Sequence, residues 1–273
     1  MPELPEVETT RRGLAPHLQK RIITHLDIRQ PKLRWPVPMD LDRHLCHMKI
    51  HQIRRRGKYL LLETGNGSLI IHLGMSGSLR IAGPDSAGLG KHDHVVFHLD
   101  NHRRLIFHDP RRFGALLWTD APPEEHPLLK SLGPEPFDHT FNGSWLQQMA
   151  RSSRGTTIKT LIMNQKIVAG IGNIYANEAL FAAGIRPDRI ANTIPINPLD
   201  ALCKSVRNVL SAAIAQGGTT LRDFTNEKGQ PGYFQLALNV YGKDGSPCPN
   251  CCHPIQATRI GQRATFFCPR CQR

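Results

Sequence analysis

The chain has 273 residues, 40% of them hydrophobic, enough for two domains with their own cores. Lys and Arg number 35 against 22 Asp and Glu, and the resulting +13 points to a polyanionic partner through counterion release. No signal-peptide core and no long apolar run appears, so the sequence predicts neither secretion nor a membrane span, and an odd seven cysteines suit a reducing cytoplasm.

The chain opens Met1-Pro2-Glu3-Leu4-Pro5-Glu6-Val7-Glu8. Proline is a small second residue of the kind from which methionine is trimmed, which leaves Pro2 with a free secondary amine. An α-amino group has a pKa of about 8. Its neutral form attacks a sugar carbon or aldehyde and gives an iminium, the electron sink that Schiff-base lysines also use. Glu3 stands beside it, within reach to move a proton on the same substrate. Pro5, then Glu6 and Glu8, suit the first turn of a helix that Arg11, Arg12 and Gly13 would close. Taken alone, the stretch reads more readily as a capped amphipathic helix, because matches this short are often accidental.

From 21 to 120 the pattern is that of strands. Residues 21–30, 58–64, 68–73, 94–99 and 103–108 are rich in Ile, Leu, Val and Phe, with turn signals between them. Leu41–Met48 reads as one short helix. Short strands with tight turns predict an antiparallel sandwich. Arg54-Arg55-Arg56-Gly57-Lys58-Tyr59 is a basic turn. Two loops, His72-Leu73-Gly74-Met75-Ser76-Gly77 and Asp109-Pro110-Arg111-Arg112-Phe113-Gly114, offer between them apolar side chains and hydrogen-bonding groups. As bare residues, Met75 and Phe113 are more often core fillers, and the arginines a solvated strand end.

Pro122, Pro123, Pro127, Pro134 and Pro136 mark a linker, after which the period becomes helical. Helices are predicted over Ser144–Arg151, Thr156–Ile167, Ile174–Ala183 and Pro198–Ala215, the last capped by Asn197. Gly170-Ile171-Gly172-Asn173 precedes the third. Glycines before a helix let the backbone approach an anion, although an ordinary helix connection has the same look. The carboxy-terminal spacing is more specific. Cys248-x-x-Cys251, sixteen residues, then Cys268-x-x-Cys271 is a four-thiolate zinc pattern. Cys252 and His253 compete with Cys251 on spacing alone; the symmetry of the two knuckles favours Cys251. Arg259, Arg263, Phe266 and Phe267 lie between the knuckles, on a hairpin the metal would hold.

PELPEVE, the two loops, GIGNIYANEALFAAGI and QRATF between the cysteine pairs together resemble the bacterial formamidopyrimidine-DNA glycosylase family from Pro2 to Cys271. The resemblance implies an α+β protein. An N-terminal antiparallel β-sandwich (1–121) leads through a linker (122–138) to a helix–two-turn–helix domain (139–235) and a zinc-finger β-hairpin (236–273). It implies a bifunctional DNA glycosylase/AP lyase that excises oxidised purines, 8-oxoguanine opposite cytosine and formamidopyrimidines. Pro2 is then the nucleophile, Glu3 the acid/base, Lys58 a proton-transfer and phosphate residue, and Arg263 a phosphate contact used late in elimination. Met75 fills the gap left by the base, Arg111 pairs with the orphaned cytosine and Phe113 wedges the step. His72, His92, Arg154, Asn173 and Tyr241 touch DNA, and Thr219–Tyr233 matches a loop that closes over the everted base. The implied partners are one structural zinc ion, held by Cys248, Cys251, Cys268 and Cys271, and double-stranded DNA with oxidised bases or abasic sites. The protein is expected to be a cytoplasmic monomer. Two rivals remain at this level: the sister endonuclease VIII type, which acts on oxidised pyrimidines, and a non-catalytic zinc protein that only recognises damage.

Overall fold

Helix α1 (Leu4–Leu18) begins at Glu3, whose backbone N–H donates to the Glu6 carboxylate at 2.8 Å. It runs past Gly13, where the composition predicted its end. Val7, Leu14 and Leu18 form one fully buried stripe, and each buried leucine is worth roughly 2 kcal/mol, more than a helical glycine costs. The computed structural model describes residues 1–86, 88–217 and 238–273. The predicted closing loop Thr219–Tyr233 lies outside the described residues. The chain forms two compact units, one over Met1–Lys130, the other over Ser131–Gln216 together with residues 238–273.

In the first unit α1 is followed by β1 (Ile23–Ile28), α2 (Leu41–Leu45), β2 (Gln52–Arg56), β3 (Tyr59–Thr64), β4 (Gly67–His72), β5 (Ser78–Ala82), β6 (Asp93–Leu99), β7 (Arg104–His108), β8 (Ala115–Thr119) and α3 (Pro127–Lys130). The strands make two antiparallel sheets, ordered β1-β6-β7-β5 and β2-β3-β4-β8. Leu60, Leu62 and Ile71 from one sheet share a core with Val95, Phe97 and Phe107 from the other. The central strands β3, β4, β6 and β7 match predicted runs to within one residue at each start. Three that do not, β2, β5 and β8, are edges, where partial solvent exposure admits a sequence such as Gln-Ile-Arg-Arg-Arg.

The second unit holds α4 (Gly143–Ser152), α5 (Ile158–Met163), α6 (Asn173–Ala182), α7 (Ile196–Ala215) and the hairpin β9 (Gln256–Ile260)–β10 (Arg263–Phe267). Asn142 caps α4 by accepting from Trp145 N at 2.9 Å. Helix α5 is shorter than its apolar period suggests, because Gln165 draws the chain into a turn. Its Oε1 accepts from Gly170 N at 2.8 Å and its Nε2 donates to Ile171 O at 2.7 Å. Helix α7 starts at Ile196 with Pro195 at its cap, so Asn197 sits inside the first turn rather than capping it. Pro198 is tolerated there because first-turn N–H groups have no intrahelical acceptor. Among the described residues no helix is long and apolar enough to cross a membrane.

Candidate active site and nucleic-acid interface

Strand register decides which turns share an end of the sandwich. Tyr59 pairs with His72, and His72 with Ala115, so the β2–β3, β4–β5 and β7–β8 connections meet at one end of their sheet. In the other sheet Ser78 and Asp93 both pair with His108, which brings the residues before β5, before β6 and after β7 together. Lys58, His72, Met75, His92, Arg111 and Phe113 all stand on these connections or at their strand ends. Helix α1 is pinned to the same region by Arg55, whose Nε donates to Glu8 at 3.3 Å one residue from the end of β2. Burial works against charge on Glu8, but bonds from Arg11 and Arg12 and the nearby Arg55 charge outweigh it and hold its pKa at about 2.

At the head of that helix Glu3 is buried, Pro2 half-buried and Met1 exposed. Lys58 is 7% exposed, on a turn that Gly57 makes possible with φ +56°. Next to it, His72 is half-buried, and burial together with the Lys58 and Arg34 charges lowers its pKa to about 4. Gly74 N donates to His72 Nδ1 at 3.0 Å, which fixes a neutral ring with its proton on Nε2. NMR titration should therefore find this imidazole changing charge near pH 4. The unfolded chain takes up that proton at about 6.5, so His72 removes stability as pH falls from about 6.5 to about 4. A midpoint near 6.5 in the folded protein contradicts this environment.

Met75 and Phe113 are 43% and 42% exposed, so neither fills the core. The Arg111 guanidinium lies 4.9 Å from the Phe113 ring centroid, a cation over an exposed aromatic. Their two loops touch through backbone, since a Cβ on Gly74 would stand 2.4 Å from the Phe113 carbonyl carbon. Asp109, fully buried and without an assigned role in the sequence, joins them. Its Oδ1 accepts from Ser76 Oγ at 2.7 Å and Arg111 N at 3.3 Å, its Oδ2 from Gly114 N at 2.7 Å. His92 packs edge-on against His94 and His108, at 6.2 and 5.9 Å between centroids. Beside it Asp93 takes two bonds from Arg80, one from Gly90 N and the nearby His108 Nδ1. Burial opposes its charge, yet these partners hold its pKa far below the carboxylate range.

In the second unit the zinc hairpin turns through Gly261 and Gln262, both at positive φ as a two-residue I′ turn requires, and presents Arg263 exposed. Its β10 strand is registered on the helices by polar side chains. Asn173 Nδ2 donates to Ala264 O at 3.0 Å, Asn177 Oδ1 accepts from Phe266 N at 2.8 Å, and Lys159 Nζ donates to Ala264 O at 2.8 Å. Asn173 thus stands beside Arg263, tied to the hairpin through its amide, with Oδ1 buried and unbonded. A cleft of about 380 Å3 is lined by Ser153, Thr156, Lys159, Asn164, Gly261 and Arg263, and Arg154, between the first two in the chain, is exposed. Tyr241 packs edge-on against Phe266 at 5.2 Å, and its backbone is held by Glu178, a buried carboxylate that also accepts from Asn239 N and Val240 N. Nothing in the sequence marks Glu178, Asn177 or Asp109 as anchors, because each takes a bond from chain far away, Asp109 from the Ser76 hydroxyl and the other two from backbone N–H groups.

The Sγ atoms of Cys248, Cys251, Cys268 and Cys271 all lie within 4.8 Å of one another, with Cys248–Cys271 at 3.9 Å and Cys251–Cys268 at 3.5 Å. A tetrahedral zinc with Zn–S of about 2.3 Å needs S–S edges of about 3.8 Å, so the four thiols fit one structural zinc ion. Cys252 and His253 are both exposed and outside this cluster, which leaves Cys251 as the ligand.

Comparison with known sequences gives three matches along the chain. The "Formamidopyrimidine-DNA glycosylase N-terminal domain" matches residues 1–116, the "Formamidopyrimidine-DNA glycosylase H2TH domain" residues 132–225, and the "Zinc finger found in FPG and IleRS" residues 245–273. A formamidopyrimidine-DNA glycosylase of Methylococcus capsulatus is 55% identical over 273 residues, covering 100% of both chains. Among solved structures, a Lactococcus lactis FPG variant in complex with Fapy-dG containing DNA is 36% identical, with a TM-score of 0.88 and 100% of both chains covered. A MutM protein in complex with carbocyclic 8-oxo-G containing DNA gives 36% identity and a TM-score of 0.86, again over 100% of both.

Proposed function

The chain belongs to the formamidopyrimidine-DNA glycosylase family, and from that premise we propose a bifunctional DNA glycosylase/AP lyase acting on oxidised purines in duplex DNA. The observation that carries the reading is the strand register, which sets Lys58, His72, Met75, His92, Arg111 and Phe113 at one end of the sandwich, with the helix bearing Pro2 and Glu3 pinned there through Arg55. The similar proteins solved with Fapy-dG and 8-oxo-G DNA support the choice of substrate.

With Met1 removed, the Pro2 nitrogen bonds to C1′ of the damaged nucleotide as the bond from C1′ to the base breaks, the base leaving with the bonding pair and taking up the proton that the nitrogen sheds. Glu3 gives a proton to the ring oxygen as the sugar opens, and the nitrogen lone pair forms the iminium. Loss of a C2′ proton then expels the 3′ phosphate, and a second elimination expels the 5′ phosphate. Lys58 and Arg263 serve phosphate contact and proton movement in these steps. Met75 fills the space of the extruded base, Arg111 pairs with the cytosine left behind and Phe113 wedges the adjacent step, so an exposed methionine and phenylalanine beside a cation have a use in water. His72, His92, Arg154, Asn173 and Tyr241 contact the strand. His72, neutral at working pH, offers a hydrogen bond rather than a charge. Zinc held by the four cysteines keeps the hairpin folded and takes no part in bond making. The sandwich, linker, helical and zinc segments divide at 121, 138 and 235, and the protein works as a monomer in the cytoplasm.

The test is borohydride added during incubation with duplexes containing 8-oxoguanine opposite cytosine, formamidopyrimidine or thymine glycol. An adduct whose mass maps to Pro2, with faster excision of the two purine lesions, is the expected result. Preference for thymine glycol would move the chain to the pyrimidine-directed branch. Tight binding without any adduct would leave a damage-recognition protein without chemistry.

A further inference from the structure

We infer that Asp109 is a positioning residue, the strut that holds the Met75 loop and the Arg111–Phe113 loop as one rigid wedge. The inference rests on the proposed role of that wedge and adds a residue to it. Asp109 is fully buried, and both oxygens of its carboxylate are used. Oδ1 binds the hydroxyl of Ser76, next to Met75, and the backbone N–H of Arg111. Oδ2 binds the N–H of Gly114, next to Phe113. Ser76 Oγ itself accepts from Arg111 N at 3.2 Å, so the two loops share a three-way junction at this carboxylate. His94 Nε2, 2.8 Å from the Asp109 carbonyl oxygen, anchors the strut to β6.

The physical need is specific. An exposed methionine and phenylalanine can separate stacked bases only if they do not yield sideways, and a short loop in water has no core to stiffen it. Backbone contact between Gly74 and Phe113 sets the spacing of the loops, and a charged acceptor of three donors resists their sliding. Arg112, between Arg111 and Phe113, sits at φ +57°, a conformation non-glycine residues hold only when their surroundings impose it; the Arg112 N–H bond to the Asp109 carbonyl at 3.2 Å is one such constraint. Asp109 touches no DNA in this scheme. It acts through Met75, Arg111 and Phe113.

Two substrates separate this role from simple support of the fold. Excision of 8-oxoguanine opposite cytosine needs the wedge, whereas cleavage at an abasic site in a single strand has neither a base to extrude nor an opposite base to read. Asp109→Ala should lower duplex excision by about 100-fold, the loss expected when a positioning group shifts by about 1 Å. It should leave single-strand abasic cleavage within about threefold. Asp109→Asn, which keeps an acceptor for Gly114, should recover about tenfold of that loss. The preference for cytosine over adenine opposite the lesion should shrink in parallel, since Arg111 loses its anchor. If Asp109→Ala does not fold, Ser76→Ala decides the matter, with duplex excision down about fivefold and single-strand cleavage unchanged. Equal losses on both substrates, or unchanged duplex excision, overturn the strut while leaving the glycosylase/lyase reading intact. A wild-type protein that forms no borohydride adduct on either substrate takes down both.

Discussion

Any residue retained in front of Pro2 will leave a protein that binds lesion duplex and does not nick it. The reason is electronic. As chain terminus, Pro2 is a secondary amine with a lone pair free to attack C1′. Acylated by a preceding residue it becomes a tertiary amide, whose nitrogen is not basic and cannot form an iminium. Deleting a nucleophile outright commonly lowers turnover by several orders of magnitude, so nicking should fall at least on the order of 10³-fold and the borohydride adduct should vanish. Binding should survive, because Met1 is 52% exposed and a further residue ahead of it meets no packed core. Intact mass establishes which terminus a sample carries, and a nicking gel with a parallel affinity measurement reads the outcome. Nicking at undiminished speed by fully blocked protein sinks the covalent mechanism.

Stripping the zinc should have the second largest effect. Among the described residues the apolar cluster of the zinc module comprises Phe181, Val240, Cys248, Ile255 and Cys268, so two of these five buried members are the metal-binding cysteines themselves. A core of that size cannot offset the conformational entropy of ordering the hairpin, while zinc bound by a small module is worth roughly 10–16 kcal/mol. Chelation, or Cys268→Ser, should release one zinc per chain, add an early unfolding step and weaken lesion-duplex binding by about 100-fold or more as the Arg263 turn and the Tyr241 segment lose their frame. The sandwich strands should keep their amide protection, since among the described residues their core contains none of the hairpin. Full affinity in protein shown by mass to be metal-free would mean that the hairpin holds itself.

Much of the chemistry is readable one residue at a time. The doubled C-x-x-C and the apolar runs of the central strands are properties of neighbouring residues, and each is recovered in place. Edge strands were the weak point. β2 carries Arg54, Arg55 and Arg56 because one side of it faces water, and that same polarity hides it from a search for apolar runs. Helix α1 outran its glycine because burial of Leu14 and Leu18 outweighs local propensity, and α5 fell short because Gln165 offers the backbone a competing set of bonds.

By itself the sequence determined a basic chain, a sandwich followed by helices, a proline at position 2 beside a carboxylate, and a four-cysteine metal site. Only the tertiary structure decided that Tyr59, His72 and Ala115 stand side by side, and with them the turns bearing Lys58, Met75, Arg111 and Phe113. It alone made Asp109 and Glu178 into anchors. The physical reason lies in strand pairing: sliding one strand by two residues preserves every inward and outward side chain, so alternation cannot encode which turns meet. That choice belongs to the packed core and to the buried carboxylates that take bonds from distant parts of the chain, Asp109 from the Ser76 hydroxyl and Glu178 from the Tyr241 N–H.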